Sequence, residues 1–373
     1  MSMYIAVTLV FMLSMALGRE LDEQLIGWRG ESYKPQAPQR LPWVETIAWR
    51  PRAFYFHNFL TDEEAQHIVN ISWPQMQRST VVGANGSSVL DDYRTSYGTF
   101  VNRYQDSIMQ AIQDRIALYT HAPVLHQEDM QVLRYGVGQY YHRHQDSLSE
   151  DSPRMATLLL YLSDATEGGE TAFPERSQWA HPQLEQTYGA EFSSCAKGHV
   201  AVKPRRGDGL LFWSTHPDGS TMDPASTHEG CPVLVGSKWT TTTWIHTKPF
   251  RPEEYNPSSN KYRVNPPFQD PGFCTDGSDQ CPKWAAAGEC ERNSVFMKGG
   301  PLVVGNCMKS CRVCTECSTP GDTTCYMRNR QAVGYLAFNQ SELEYRRPDL
   351  VAATGPTRQR KIINRRSQVI TVV

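Results

Sequence analysis

Hydrophobic and polar positions predict two helices in the first part of the chain. Thr61 is followed three residues later by Glu64, which makes a capping box, and we expect a helix that begins there and continues through Ile68–Val69. Isoleucines then recur at every fourth position, at Ile108, Ile112 and Ile116. This spacing predicts a second amphipathic helix, from about Arg103 to Tyr119, whose isoleucines pack in the core.

From residue 131 onward the pattern is typical of strands. The segment Gln131–Asp146 (QVLRYGVGQYYHRHQD) is interpreted as one strand, and Met155–Leu162 is a continuous apolar run that indicates a buried strand. Further strand-like runs lie at Pro51–Phe56, His199–Lys203, Gly209–Trp213 and Lys238–His246. Short strands separated by turn signals predict a mainly β (α+β) domain of the sandwich or jelly-roll type, with the two helices packed outside.

The His144-x-Asp146 pair at the end of the first predicted strand is a candidate for chemistry. Side chains two positions apart in a strand point to the same face, so an imidazole and a carboxylate can converge on one metal ion. The best candidate for a third ligand is His228, far downstream in STHEGCPVLVGSKW. Two histidines and one carboxylate form the facial triad of non-haem Fe(II) oxygenases, which leaves open coordination positions. Taken singly, the H-x-D pair is weak evidence, and a surface-loop histidine is the better interpretation of His228.

The N-terminus has the pattern of a secretory signal peptide over residues 1–18. Met3–Leu17 is almost entirely apolar, charged residues follow from Arg19, and Ala16-Leu17-Gly18 provides small residues for a cleavage site. No lysine or arginine precedes the apolar run, so an uncleaved membrane anchor is the alternative. Either form predicts the endoplasmic reticulum lumen or another part of the secretory pathway, with secretion as a further option.

Composition and charge then suggest the domain limits. The formal net charge of −2 gives no general attraction to nucleic acid. Residues 19–50 are polar and predict an extended leader, whereas the proline-rich residues 249–273 predict a semi-rigid linker. The basic, hydrophobe-poor residues 315–373 predict a solvated, mobile tail. Asn-x-Ser sequons that fit a secretory protein, or arise by chance, lie at Asn70, Asn85 and Asn339.

Cysteines are concentrated near the C-terminus. None of the ten precedes Cys195, and eight lie from Cys274 to Cys325. Such clustering predicts a small disulfide-stapled module and an oxidising compartment. Zinc binding is the competing interpretation, but the predicted signal peptide opposes it.

Several longer motifs resemble the prolyl 4-hydroxylase family of 2-oxoglutarate-dependent dioxygenases, in particular its plant and algal type. The matching stretches, over residues 51–248, are PRAFYFHNFL, RTSYGTF, RYGVGQYYHRHQD, RMATLLLYLSDATEGGETAFP, CAKGHVAVKPRRGDGLLFW and THEGCPVLVGSKWTTTTWIH. The resemblance implies a double-stranded β-helix core. It also implies Fe(II), 2-oxoglutarate and O2, with ascorbate as reductant.

The resemblance assigns roles to single residues. It implies Fe(II) ligation by His144, Asp146 and His228. Lys238 would pair with the distal carboxylate of 2-oxoglutarate, and Tyr135 and Thr171 would add hydroxyl groups. Positions that the family places around the peptide substrate are Tyr141, Arg154, His246 and the segment Arg94-Thr95-Ser96, which resembles a mobile loop. If the strand is unbroken, even spacing puts His246 on the face of Lys238, with Trp244 between them. Each of these residues, taken alone, fits an ordinary structural position.

The cysteines match two families. Cys195 and Cys231 correspond to a pair that the hydroxylase resemblance implies to be disulfide-bonded, with free thiols as the alternative. Residues 274–314 resemble the ShK toxin-like domain, which implies the pairs Cys274–Cys314, Cys281–Cys307 and Cys290–Cys311. Cys317 and Cys325 remain, and we expect them to pair with each other. On an enzyme, such a module is expected to be a binding or tethering appendage.

The function implied is 4-hydroxylation of peptidyl proline in secretory-pathway proteins, coupled to oxidative decarboxylation of 2-oxoglutarate to succinate and CO2. The expected partner is a proline-rich peptide or protein, and a membrane only if the N-terminal segment is an anchor. One alternative is another 2-oxoglutarate-dependent hydroxylase, acting on lysine or on C3 of proline. The other is a secreted binding protein with a catalytically silent barrel.

Overall fold

Strands dominate the part of the chain that the structure, a computed structural model, describes. The described residues are 42–79, 93–147, 152–263, 268–300, 303–317, 322–337 and 342, with the backbone of four short strands at 81–82, 88–89, 362–363 and 369–370. The predicted signal peptide, most of the leader, the sequons at Asn85 and Asn339 and most of the basic tail lie outside them.

The strands are numbered in chain order. They are β1 (Trp43–Arg50), β2 (Arg52–His57), β3 (Gln77–Arg78), β4 (Val81–Val82), β5 (Ser88–Val89), β6 (Tyr97–Val101), β7 (Met130–Tyr135), β8 (Tyr141–His144), β9 (Arg154–Tyr161), β10 (Glu167–Gly168), β11 (Thr171–Phe173), β12 (Gln178–Trp179), β13 (Val200–Val202), β14 (Gly209–Trp213), β15 (His228–Gly230), β16 (Val233–Val235), β17 (Lys238–His246), β18 (Tyr255–Asn256), β19 (Lys261–Tyr262), β20 (Gly299–Gly300), β21 (Val303–Val304), β22 (Ile362–Ile363) and β23 (Val369–Ile370).

The helices are fewer and mostly short. They are α1 (Asp62–Ser72), α2 (Ser107–Thr120), α3 (Pro182–Tyr188), α4 (Cys281–Ala286), α5 (Glu289–Arg292), α6 (Ser294–Lys298) and α7 (Thr323–Ala332). Short 3-10 helices lie at Trp73–Gln75, Val124–His126, Gly189–Glu191, Pro224–Ser226, Pro252–Glu254 and Pro271–Phe273. Within the described residues, no helix has the length and apolar character needed to cross a membrane.

Two antiparallel sheets form the core of the main domain. The larger has nine strands in the order β12-β1-β2-β14-β9-β17-β7-β6-β3, and the smaller has the order β13-β11-β15-β8. Helices α1 and α2 cover one face of the large sheet, where Ile68, Ile112 and Ile116 join Leu158 and Trp239 in one apolar cluster. The predicted jelly-roll fold with outer helices is confirmed.

Alternation along β9 and β17 separates the outer core from the barrel interior. Alternate residues such as Leu158 and Trp239 pack under the helices. Their neighbours Thr157 and Lys238 instead line a pocket inside the barrel. The candidate site therefore lies between the two sheets, on the face of the large sheet opposite the helices.

The predicted helices are present, with one shifted boundary. Thr61 and Glu64 form the reciprocal capping box at the start of α1. Helix α2 begins at Ser107 instead of Arg103, because the Asp106 carboxylate accepts hydrogen bonds from the first free backbone amides. Ile108 is therefore in the first turn and is 36% exposed, contrary to its predicted core position.

The leader prediction is wrong for its last residues. Strand β1 begins at Trp43 and pairs with β2, so the folded domain starts eight residues before Pro51. Glu45 is buried in this strand and interrupts its hydrophobic pattern, which explains why the strand was not predicted. The Tyr188 hydroxyl donates a hydrogen bond to the Glu45 carboxylate and so satisfies it.

The segment Gln131–Asp146 is two strands instead of the single strand predicted. Strand β7 belongs to the large sheet and β8 to the small one, so the chain crosses between sheets. The connection includes Gly138, whose φ of +77° lies in the left-handed region that glycine adopts readily. Asp146 follows the end of β8, so strand periodicity alone does not place it beside His144.

All ten cysteines are paired, four pairs as the two resemblances implied and the fifth as expected for the two remaining cysteines. The disulfides are Cys195–Cys231, Cys274–Cys314, Cys281–Cys307, Cys290–Cys311 and Cys317–Cys325. Four of the five lie in the C-terminal module. This small unit has a core built largely of its own disulfides, with Met297 among them.

The described parts of the linker and tail pack on the main domain. Arg103 is fully buried, donates to the Phe250 carbonyl and forms an ion pair with Glu254 of the predicted linker. Farther along, Glu342 forms an ion pair with Arg134 of β7. The prediction of a solvated tail is therefore wrong for its described residues.

Candidate active site

Strands β8 and β15 bring the predicted metal ligands together. They pair antiparallel with His144 directly opposite His228. Asp146 Oδ1 lies 3.5 Å from His144 Nε2, and Asp146 Oδ2 lies 3.7 Å from His228 Nε2. One ligand atom from each residue lies within 4.8 Å of the other two, and this is the one such group of potential metal ligands in the described parts of the chain.

The hydrogen bonds of the two imidazoles orient them for a metal. His144 Nδ1 lies 2.7 Å from the His142 carbonyl, and His228 Nδ1 lies 3.0 Å from the Ser226 carbonyl. A carbonyl only accepts, so each Nδ1 carries the proton and each Nε2 keeps its lone pair. Both lone pairs belong to the nitrogen atoms that face Asp146.

Electrostatics favour the protonation states that metal binding requires. Burial, and next the neighbouring His144, lower the pKa of His228 to about 4, so its imidazole is neutral at physiological pH. Burial would raise the pKa of Asp146, but the two histidines and the Thr157 hydroxyl hold it well below its usual range. The neutral His228 imidazole and the ionised Asp146 carboxylate are the forms in which these groups bind Fe(II).

A buried lysine lies in the same pocket. Lys238 of β17 pairs in register with Tyr135 of β7, and its Nζ lies 3.5 Å from the Thr171 hydroxyl. It is 4% exposed, and no carboxylate of the described residues lies within 4 Å of its ammonium. Burial lowers the pKa of Lys238 to about 8. The buried Glu170 carboxylate, which binds Ser193, acts on this ammonium only from a distance. An enclosed cation without a contacting carboxylate fits the carboxylate of a bound anion.

Two tyrosines complete the lining around this lysine. The Lys238 ammonium lies 5.5 Å from the ring centre of Tyr135 and 5.9 Å from that of Tyr161. The Tyr161 hydroxyl lies 3.0 Å from the Thr171 hydroxyl and helps to fix it. Tyr135, Thr171 and Lys238 thus meet in one pocket, as predicted, and Tyr161 is an additional member.

The predicted peptide-binding side adjoins the metal ligands. The ring of Tyr141 stacks on the ring of His144 with centroids 3.7 Å apart. The Arg94 guanidinium lies 4.6 Å above the Tyr141 ring and donates to Gln131 Oε1 at 2.7 Å. Burial raises the pKa of Tyr141 to about 12, so its hydroxyl stays protonated and able to donate. Arg94 is buried, which excludes an ordinary surface turn at this position.

Arg154 and His246 are held together by a glutamate that the sequence did not indicate. Arg154 donates to both oxygens of Glu128, at 2.5 and 3.1 Å, and His246 Nε2 lies 2.7 Å from the same carboxylate. Arg154 also donates to the backbone carbonyl of Asp146 at 3.2 Å, not to its carboxylate. These two side chains act as one ion cluster with Glu128.

The expected row of side chains along β17 stops before His246. Lys238, Thr240, Thr242 and Trp244 line the pocket, in agreement with the even spacing. The register between β17 and β9 then shifts between Ile245 and His246. His246 is not part of the pocket lining and contacts Glu128 instead. The Arg154 guanidinium covers the Trp244 ring at 3.9 Å and bridges the two groups.

Two other residues were missed, and one of them had a usable signal. Thr157 donates its hydroxyl to Asp146 Oδ2 at 2.7 Å, and strand alternation in β9 places it on the interior face. Gln131, which binds Arg94, lies in a strand without any distinguishing pattern. The Cys195–Cys231 disulfide anchors the residue that directly follows β15, three positions after His228.

Comparisons with known proteins agree with this geometry. Residues 130–246 match the 2OG-Fe(II) oxygenase superfamily. The chain is 39% identical over 278 residues to Prolyl 4-hydroxylase 2 of Arabidopsis thaliana, and 40% identical over 278 residues to Probable prolyl 4-hydroxylase 4 of the same plant. Each match covers 73% of this chain and 88% of the relative.

A solved structure is also similar in part. The viral collagen prolyl hydroxylase from Paramecium Bursaria Chlorella virus-1 is 24% identical, with a match that covers 52% of this chain and 96% of that chain. Its TM-score of 0.39 is too low to add support. The relatedness rests on the sequence matches.

Proposed function

Since this chain belongs to the prolyl 4-hydroxylase family of 2-oxoglutarate- and Fe(II)-dependent oxygenases, we propose that it hydroxylates C4 of prolyl residues in peptides. The reaction is coupled to oxidative decarboxylation of 2-oxoglutarate to succinate and CO2. The observation that carries the proposal is the convergence of His144, Asp146 and His228 beside the buried Lys238. An intact ligand set and a buried cation that no carboxylate of the described residues contacts argue against a silent barrel.

One group of residues binds the metal, and another group binds the cosubstrate. His144, Asp146 and His228 hold Fe(II), which with 2-oxoglutarate, O2 and the reductant ascorbate supplies the oxidation of the C–H bond. Lys238 binds the distal carboxylate of 2-oxoglutarate through its ammonium. Thr171 and Tyr135 donate hydroxyl hydrogen bonds to that carboxylate and exclude water around it.

The peptide lies on the side of the pocket lined by Tyr141 and Arg94. The protonated Tyr141 hydroxyl donates to the peptide near the metal, because its ring is fixed against His144. Arg94 provides a second donor above that ring. Arg154 and His246, joined by Glu128, form the neighbouring wall and fix the backbone of Asp146.

Several finer points are part of the proposal. The five disulfides and the apolar N-terminal pattern support a secretory-pathway location, and Asn70 is exposed and accessible as a glycosylation site. A proline-rich peptide or protein is the proposed substrate. The pairing of Cys274–Cys314, Cys281–Cys307 and Cys290–Cys311 supports an ShK-like module.

Hydroxylation of synthetic peptides tests the function directly. After incubation with Fe(II), 2-oxoglutarate and ascorbate, we expect a proline-rich peptide to gain the mass of one oxygen atom at C4 of proline. Fragmentation mass spectrometry and comparison with 4-hydroxyproline standards locate the group. Hydroxylation only at lysine, or only at C3 of proline, would refute the proposal.

A pH dependence of cosubstrate binding follows from Lys238. The ammonium must be charged to bind a carboxylate, and its pKa in the free protein is about 8. Below pH 8 it is already charged, whereas above pH 8 binding must also take up a proton. The KM for 2-oxoglutarate is therefore expected to rise by up to about tenfold per pH unit above pH 8.

A Lys238→Arg variant is the control for this pH series. Arginine remains charged throughout, so its KM for 2-oxoglutarate is expected to stay level from pH 7 to 9.5, even if it is higher at every pH. The same steep rise in both proteins would assign the titration to another group.

A further inference from the structure

The chain that follows the disulfide module extends the large sheet next to the candidate site. The backbone amide of Leu336 donates to the Met76 carbonyl at 2.9 Å, and that of Arg78 donates to the Gly334 carbonyl at 3.3 Å. Gln77 and Tyr335 form an antiparallel bridge between these bonds. Because β3 is the last strand of the sheet, residues 334–336 cover its free edge.

Arg330 of α7 fixes this added segment. Its side chain is fully buried and forms an ion pair with Asp270 at 2.9 Å. It donates to the Trp73 and Pro74 carbonyls, at 3.3 and 2.8 Å, in the turn just before β3. It also donates to the Leu336 carbonyl at 3.1 Å. One guanidinium thus joins α7 to Asp270, just before the first cysteine of the module, and to the turn before β3 in the catalytic domain.

The contacts continue across β3 to Arg94. The Arg78 guanidinium donates to the carbonyls of Thr95 and Ser96. The Ser79 amide donates to the Ser96 carbonyl at 2.9 Å, and the hydroxyls of the two serines lie 2.9 Å apart. Thr95 is the residue next to Arg94, whose position over Tyr141 is therefore coupled to β3.

We propose that Arg330 is a positioning residue for the peptide side of the active site. Through residues 334–336 and β3, it holds the Arg94–Ser96 segment so that Arg94 stays above Tyr141. The C-terminal part of the chain, with its disulfides, in this way holds β3 of the catalytic domain in position. The inference rests on the proposed function, because it assigns Arg94 and Tyr141 to peptide binding.

The cosubstrate side is expected to be less sensitive. Lys238 lies on β17 and Thr171 on β11 of the small sheet, whereas Tyr135 of β7 is in hydrogen-bond contact with Arg94 and Ser96. A displacement of β3 therefore reaches Arg94 and Tyr135 first, while Lys238 and Thr171 still hold the carboxylate from other strands. This difference allows a positioning role to be separated from a general loss of folded protein.

The test compares Arg330→Lys with the wild type in the full-length protein. Lysine keeps the positive charge but lacks the fork that reaches several acceptors at once. With a short oligoproline peptide, we expect the peptide KM to rise by about tenfold or more. The KM for 2-oxoglutarate and its peptide-independent turnover are expected to stay within about twofold. A merely structural role would lower kcat for all substrates and leave the peptide KM unchanged, which would overturn the proposal.

Two further variants sharpen the test. Arg292→Lys changes an exposed arginine of the same module and is expected to behave as wild type. Arg78→Lys breaks the next link, so combining it with Arg330→Lys should add little to the peptide KM beyond either change alone. If the two effects on the peptide KM add fully, Arg330 and Arg78 act independently. That result would overturn the proposal that Arg330 acts through β3.

Amide hydrogen exchange tests, without any enzymatic turnover, whether Arg330 holds β3 and the Arg94–Ser96 segment in position. The amides of Ser79 and Thr95 donate to the carbonyls of Ser96 and Tyr140, and both are expected to exchange faster in Arg330→Lys. Unchanged exchange at these amides would overturn the proposal. If the wild type hydroxylates no prolyl peptide, the proposed function fails separately, while the exchange result still reports on Arg330.

Discussion

An Asp146→Asn variant is expected to lose metal binding and turnover together while it remains folded. The amide is similar in shape, but it carries no charge and cannot replace the carboxylate that faces both Nε2 atoms. Changing a group outside the ligand set typically weakens metal binding by about 10- to 100-fold, and loss of a ligand is expected to exceed that range. Turnover of 2-oxoglutarate and of peptide should then both fall below detection.

Metal titration by calorimetry, with circular dichroism as a check of the fold, measures this loss. Thr157→Val is the matched control, since it removes only the hydroxyl that donates to Asp146. It should give an intermediate loss of metal affinity, about 10- to 100-fold. His144→Ala is expected to abolish 2-oxoglutarate turnover as well. Wild-type metal affinity and turnover in Asp146→Asn would refute the assignment of the ligands.

The structure brings the three predicted metal ligands together, but part of the local reasoning from the sequence was wrong. Strand periodicity predicted that His144 and Asp146 share one face, whereas β8 ends at His144 and Asp146 lies beyond it. The convergence depends on the pairing of β8 with β15, which brings His228 opposite His144. Such pairing is a long-range contact that only the motif order and the resemblance indicated.

Buried polar residues explain most of what the sequence did not reveal. Glu45 interrupts the pattern of β1, and Glu128 holds Arg154 and His246 without belonging to any motif. Arg330 lies in a segment whose composition indicates solvent exposure, yet it is buried because distant carbonyls accept its hydrogen bonds. Hydrophobic periodicity reports which side chains avoid water, and it does not report polar side chains that find partners far along the chain.

A Lys238→Met variant is expected to bind 2-oxoglutarate far more weakly and yet to be more stable without it. Loss of one partner of a buried charge pair costs about 2–5 kcal/mol of binding free energy. That cost corresponds to a rise of roughly 30- to 4,000-fold in the KM for 2-oxoglutarate. The variant therefore loses most of its turnover at ordinary cosubstrate concentrations.

The variant is expected to gain stability, although it loses affinity for 2-oxoglutarate, because no carboxylate of the described residues contacts the Lys238 ammonium. Burial lowers the pKa of Lys238 from 10.5 to about 8, so below pH 8 the free protein is charged at a site that disfavours the charge. At neutral pH this penalty is roughly 3 kcal/mol, and a methionine of similar length does not incur it. The unfolding temperature without cosubstrate is therefore expected to rise.

Thermal unfolding with and without 2-oxoglutarate checks both effects in one experiment. The wild type should be stabilised by 2-oxoglutarate in the presence of a divalent metal, since the ligand binds only the folded state. Lys238→Met should start at a higher unfolding temperature and gain little from the cosubstrate. Lys197→Met, which changes an exposed lysine, should show neither effect. A Lys238→Met variant that 2-oxoglutarate stabilises as strongly as the wild type would show that this lysine does not bind the carboxylate.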